Sequence, residues 1–345
     1  MYSSISTFED EKQLEDYLSQ PTLEVVELFK HLKGDLIFLG IAGKIGPSLA
    51  EMALKACKEA GVEKKIYGVS RFSNSSEQEK LEAKGIITLK GDLLDADFLA
   101  SLPEVENVFF LAGMKFGADG NPGLTWAMNA HLPALVAERY KSSRIVAYST
   151  GTVYPLVSPE TGGSKETDSP DPIGEYAQSC LGRERMFQYG STKNNTPTVL
   201  IRLNYAVEPR YGVLVDIAQK VKNQQVIDLS MGYFNVIWQG DANNMVLQSL
   251  KYTEAPANIL NISGPETLLV KETARKFGEM FGIEPIFSGE EQTSALLNNS
   301  SKAFELMGKP KVKIDKLMEW VGNWVMDDKR SLGKPTKFEV RDGKY

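Results

Sequence analysis

The chain reads as an α/β protein built on a doubly wound parallel sheet, with a second, smaller α/β domain set over it. Three observations predict this. Short apolar runs alternate with amphipathic stretches through the first two thirds of the chain, and the first run ends in a glycine-rich turn. The composition, 42% hydrophobic and 24% charged over 345 residues, suffices for a nucleotide-binding core plus a smaller partner domain.

The first element is a helical extension over residues 1–34. Thr7 and Asp10 stand at capping-box spacing, and Leu14, Leu18, Val25, Val26, Leu28 and Phe29 follow at helical intervals. The run 36–39 is then a strand, the glycines after it a turn, and 47–60 an amphipathic helix. Further strand runs are predicted at 65–69, 85–89, 107–111, 144–148 and 198–201, and strands separated by helices imply parallel pairing with right-handed crossovers. A helix over 241–250 and a strand at 259–262 complete this first domain. The expected division is 1–34 as extension, 35–204 with about 241–263 as dinucleotide-binding domain, 205–240 with 264–330 as substrate domain, and 331–345 as a tail or partner-wrapping arm.

Charge and composition exclude several functions. The net charge is −6 with Lys and Arg dispersed among acids, so no basic stripe is present for a phosphate backbone and no nucleic-acid partner is expected. Two cysteines, Cys57 and Cys180, fall short of a disulfide framework, and with only His31 and His131 beside them no metal centre is expected. The first 20 residues lack the apolar core of a secretory signal, and no apolar run approaches the ~20 residues that span a bilayer. These features predict a soluble, cytoplasmic protein without a membrane partner.

The glycine turn reads Gly40-Ile41-Ala42-Gly43-Lys44-Ile45-Gly46. Between a strand and a helix, such spacing lets bare backbone approach a pyrophosphate whose charge faces the helix amino terminus. Gly40, Gly43, Lys44, Ile45 and Gly46 are therefore candidate cofactor residues. At the end of the second strand, where an acid would take both ribose hydroxyls, the chain has Ser70 and Arg71. A guanidinium suits a 2′-phosphate, which makes NADP the first expectation and NAD the second. Asp92 and Leu93 follow the third strand at the adenine position, and Ala112 and Gly113 follow the fourth.

Together with Leu111-Ala112-Gly113-Met114-Lys115, Asn129, the segment Tyr148 to Tyr154, and Tyr176-Ala177-Gln178-Ser179, these motifs make the chain resemble the extended short-chain dehydrogenase/reductases, and most closely the NAD-dependent epimerase/dehydratase family, from about Asp35 to Trp324. The resemblance implies a Rossmann-type sheet and an enzyme acting on a sugar or sugar-like alcohol. It assigns Tyr176 as acid/base, Thr150 as the assisting hydroxyl and Asn129 as a cofactor residue, and it implies a homodimer through the Tyr176 helix.

The chain departs from that pattern at one decisive place. Four residues after Tyr176, where the family carries a lysine that lowers the phenol pKa, stands Cys180. A cation about 4 Å from a phenolate contributes up to ~4 kcal/mol at an effective dielectric of ~20, and a thiol cannot replace it. Lys115, in the loop over the cofactor, and Arg183, seven residues along the helix from Tyr176, are the candidate substitutes, and the oxidised nicotinamide ring carries positive charge of its own. A second departure is the absence of any basic residue in 232–241, where sugar-nucleotide enzymes of the family present an arginine to pyrophosphate. Asn204, Arg210, Tyr211, Trp238 and Gln239 are the candidate substrate residues and suit a smaller carbohydrate. Arg210 serves equally as an ion-pair member, and Trp238 as a core residue. Two functions follow: an NADP(H)-dependent oxidoreductase or epimerase acting on a sugar or sugar acid, or a catalytically silent dinucleotide sensor.

Overall fold

A computed structural model describes residues 5–115, 117, 120–334 and 336–344. At its centre lies a seven-stranded, wholly parallel sheet. Strands β1 (Leu36–Leu39), β2 (Ile66–Ser70), β3 (Ile87–Lys90), β4 (Asn107–Phe110), β5 (Arg144–Thr150) and β6 (Thr198–Leu203) are joined by a seventh, Asn258–Ile262. From one edge the order runs seventh strand, β6, β5, β4, β1, β2, β3. The strand order reverses direction between β1 and β4, the switch point that opens a crevice at the carboxyl ends of an α/β sheet.

The sheet is parallel because both of its faces are apolar. Along β1, Leu36 and Phe38 join one core while Ile37 and Leu39 join the other. β4 repeats this with Phe109 on the first side and Val108 and Phe110 on the second, and Phe38 stacks on Phe109 with ring centroids 4.7 Å apart. A strand buried on both faces needs helices over each, and right-handed crossovers supply them.

A third core is separate from these two. Trp238, Trp320 and Trp324 pack there with Phe8, Leu14 and Leu18 of the amino-terminal extension and with Phe338 of the tail. Trp238 and Trp320 meet edge to face at 5.1 Å, and Phe8 stacks on Trp238 at 6.3 Å. The extension is two helices, Glu11–Leu18 and Leu23–His31. The expected capping box is displaced: Asp10, not Thr7, accepts from the Gln13 amide, and Gln13 reaches back to the Glu9 amide at 2.7 Å. Thr22 caps the second helix.

The tail wraps its own chain. The Leu332 amide donates to the Arg210 carbonyl, Thr336 bonds Asp216, Phe338 is 1% exposed, Glu339 pairs with Lys220, and Arg341 donates to the carbonyls of Ser230 and Ser294. Among the described residues no helix is long and apolar enough to cross a membrane, and no cluster of His, Cys, Asp and Glu could hold a metal.

The helix Gly174–Asn194 is tied to the sheet by a buried ion pair. Glu184, fully buried, accepts from Arg202 Nε and Nη2 at 2.9 and 2.7 Å and from Ser149 Oγ at 2.6 Å, while the Arg202 guanidinium lies 4.6 Å over the Tyr154 ring. Removing one partner leaves an uncompensated buried charge. Glu184→Ala is expected to cost about 3–5 kcal/mol in urea unfolding, and Glu184→Leu combined with Arg202→Met to recover most of that loss.

Candidate active site

The cleft starts at the turn after β1. Gly40, with φ +90°, lies so close to the chain just beyond β4 that a Cβ would stand 2.6 Å from the Ala112 nitrogen, and at Gly46 a Cβ would stand 2.1 Å from the Ile41 carbonyl oxygen. Chain packing demands these two glycines. Gly43 is different: its φ is not in the left-handed range, and a Cβ would meet only the Gly40 oxygen, at 3.5 Å. The space it leaves open is cleft, where a ligand backbone can approach. The helix Gly46–Ala60 begins directly behind.

Two cavities meet at this turn, sharing Gly40, Gly43, Leu111 and Gly113. The first, 430 Å³, is lined by Ser70, Arg71, Asp92, Leu93 and Ala112. The second, 290 Å³, contains Lys44, Ile45, Gly46, Lys115, Thr150, Tyr176 and Arg183, with Asn204 and Tyr211 from the substrate side. The four candidate catalytic side chains therefore share one cavity, and the candidate ribose and adenine residues line its continuation. Arg71 is exposed and has no hydrogen-bond or ion-pair partner among the described residues.

The β5 strand delivers Thr150, and the helix Gly174–Asn194 delivers Tyr176. Tyr176 packs against Cys180 and shares the cavity with Thr150. Burial drives the phenol pKa well above the ordinary value and the neighbouring Cys180 adds to this, while Arg183 and Thr150 pull it down. Lys115 Nζ stands 5.8 Å from the Tyr176 ring centroid and donates to the Thr336 carbonyl at 3.2 Å. Burial lowers the Lys115 pKa to about 8.

Arg183, two turns along the same helix from Tyr176, is 5% exposed. Its Nη1 donates to the Tyr148 carbonyl and its Nη2 to Asn129 Oδ1, both at 2.8 Å, and its plane faces Phe110 at 5.3 Å. A Cβ at Gly113 would be 2.3 Å from Nη2, so the glycine admits the guanidinium to the cleft. Arg183 Nε and the Tyr148 hydroxyl are buried with no partner among the described residues, and both side chains line the cavity. Two unpaired buried donors beside the bare face at Gly43 fit a bound dinucleotide, whose oxygens would satisfy them.

Several expectations change. Asn129 does not line either cavity. It sits in the π-helical turn Ala127–His131, grips Met114 through its amide and carbonyl at 2.9 and 2.8 Å, donates to Ser179 at 3.0 Å and accepts from Arg183, so it positions the loop that carries Lys115. Trp238 is a core residue, 1% exposed, because the extension and the helix Ile314–Met326 close over it. Gln239 is equally buried and donates to Ser48 behind the glycine turn. Arg210 is drawn away from the cleft by Glu208, Glu11 and Glu15. Asn204 lines the cavity but spends its amide on Asn235, at 2.9 Å. Ser149, Tyr148, Thr336 and Lys334 line the cleft unforeseen; no local motif marks the last two, which arrive from the tail.

Comparison with known proteins places this arrangement. A Pal protein of Bacillus thuringiensis has a similar fold, with TM-score 0.70 and 18% identity over 86% of this chain and 100% of that one. The UDP-glucose 4-epimerase of Thermotoga maritima, solved with UDP-glucose, gives 0.68 and 17% over 85% and 99%. The UDP-glucuronic acid 4-epimerase of Bacillus cereus, solved with UDP-glucuronic acid and NAD, gives 0.70 and 16% over 85% and 99%. Among curated proteins none matches in sequence. The profile of the NAD dependent epimerase/dehydratase family matches residues 36–230, from the first residue of β1 through the glycine turn and the Tyr176 helix into the substrate side. With more than half of its length matched in this way, the chain belongs to the NAD dependent epimerase/dehydratase family.

Proposed function

We propose that the protein is a nicotinamide-dependent oxidoreductase or epimerase acting on a hydroxyl of a sugar or sugar acid, with Tyr176 as acid/base. The observation that carries this reading is the convergence of Tyr176 and Thr150 in one cleft that opens from the glycine turn. The bound dinucleotide would supply the hydride acceptor or donor. The bare backbone at Gly43 and the helix behind it hold its pyrophosphate, Asp92 lies on the adenine side, and Arg183 Nε offers a donor at the Tyr176 end.

Tyr176 exchanges the proton of the substrate hydroxyl while Thr150 orients the oxygen. With Cys180 in place of the lysine, the charge that favours the phenolate comes from Lys115 and Arg183. A unit charge about 6 Å away contributes roughly 3 kcal/mol at an effective dielectric of ~20, a substantial part of what a closer lysine supplies. A silent dinucleotide sensor is the second reading, and the Cys180 contact with the phenol is what favours it, since it works against ionisation. For the cofactor, NAD is named with the similar structures, while Arg71, unengaged beside Ser70 where an acid would read the ribose, supports NADP in this chain.

Tyr176→Phe is expected to lower hydride transfer about 10²–10⁴-fold in a stopped-flow assay against a panel of sugars and sugar acids, leaving dinucleotide affinity unchanged. Equal turnover by both proteins removes the acid/base assignment. Gly43→Ala is expected to melt within about 2 °C of wild type yet to bind the dinucleotide at least about tenfold more weakly, whereas Gly46→Ala should lower the melting temperature itself. Arg71→Ala is expected to weaken NADP about tenfold or more, measured by nucleotide fluorescence, with NAD unaffected; equal wild-type affinity for the two forms speaks against a 2′-phosphate site.

A further inference from the structure

Lys44 belongs to the glycine turn by sequence, but its side chain belongs to the other half of the cleft. It lines the 290 Å³ cavity and not the 430 Å³ one. Its ammonium donates to the Ala206 carbonyl at 2.8 Å and lies 4.0 Å over the ring of Tyr211, both residues of the substrate side. The carboxylates nearest to it are committed elsewhere. Glu208 accepts from the Arg210 amide at 2.9 Å and from Arg210 Nε at 3.1 Å, and Asp216 accepts from the Thr336 amide and hydroxyl at 2.8 and 2.6 Å.

The lining of this cavity is electrostatically one-sided. Among the described residues it includes Lys44, Lys115 and Arg183 and no aspartate or glutamate. Burial lowers the Lys44 pKa to about 7, with Glu208 and Asp216 opposing and Arg210 assisting, which marks an ammonium short of compensating charge. An ammonium carries three donors, and one carbonyl with one aromatic face leaves it able to accept an anion. The stretch 232–241 has no cation for a nucleotide pyrophosphate, and Val236, Ile237 and Trp238 within it are buried.

We infer that the substrate is a small anionic carbohydrate, a sugar acid or a sugar phosphate, whose carboxylate or phosphate is received by Lys44 with Lys115 lining the same cavity, and that Lys44 determines this specificity. The inference rests on the reading of the cleft as a carbohydrate site. Lys44 reaches the cavity from the glycine turn, so it couples the position of the anion to the residues that hold the dinucleotide. Thr150 and Tyr176 then face the remaining hydroxyls.

The test uses the full-length protein saturated with dinucleotide. Hexoses are titrated beside their uronic acids and 6-phosphates, with affinity read by calorimetry for wild type, Lys44→Met and Lys44→Arg, and dinucleotide affinity measured separately for each. At least one anion is expected to bind ten times or more tightly than its neutral parent. That preference should fall at least about tenfold in Lys44→Met and be largely restored in Lys44→Arg, with dinucleotide affinity changed less than about threefold. The uronic acid and phosphate arms tell the two anions apart. The inference is overturned if no anion saturates the wild type, if neutral sugars bind as well, if the preference survives in Lys44→Met, or if Lys44→Met loses dinucleotide and anion by the same factor. A wild type that takes up no dinucleotide defeats the functional reading itself, an outcome the separate dinucleotide titration isolates.

Discussion

The site is organised around one buried guanidinium. Arg183 carries its charge into a region with little solvent, where such a group is costly unless hydrogen-bonded; Nη1 and Nη2 are met, and Nε has no partner among the described residues. The Tyr148 carbonyl ends on β5, the Asn129 side chain comes from the π-helical turn, and the absent side chain of Gly113 gives the charge its opening. Because Asn129 also holds both backbone groups of Met114, the same network sets the loop that bears Lys115. Strand, helix and loop around Tyr176 are thus registered to one another by a single charge, and the cleft depends on it.

That arrangement also bears on the loss of the lysine at position 180. Cys180 is fully buried in one cluster with Val153 and Tyr154, so this turn of the helix serves packing, while the cations Arg183 and Lys115 line the cleft from a later turn and from a loop. Burial and the neighbouring thiol raise the phenol pKa, against the opposing pull of Arg183 and Thr150.

The amino-terminal helices and the tail lie at opposite ends of the sequence yet meet on the substrate side. Arg210 holds Glu11 and Glu15, Arg330 reaches Glu11, and Asn243 and Asn244 donate to the carbonyls of Leu18 and Gln20. Through Thr336 the tail touches Asp216 and Lys115 at once, so a segment remote in sequence contributes to the electrostatics of the cleft. Glu208 is the partner that turns Arg210 outward to this clasp.

What the sequence by itself determined was the parallel sheet and the glycine turn, because strand and helix periodicity and turn chemistry are properties of short segments, while the fold was needed to bring Thr150, Tyr176, Lys115 and Arg183 into one cavity. Asp10 rather than Thr7 caps the first helix, a shift of local hydrogen bonding that spacing alone does not resolve. Only the tertiary structure decided that Trp238 is core, that Arg210 is a clasp, that Asn129 holds the Met114 backbone, and that the Lys44 side chain reaches Ala206 and Tyr211. Those outcomes depend on which distant segments cover a residue and which charges stand opposite it, and neither is written in the residues next to it.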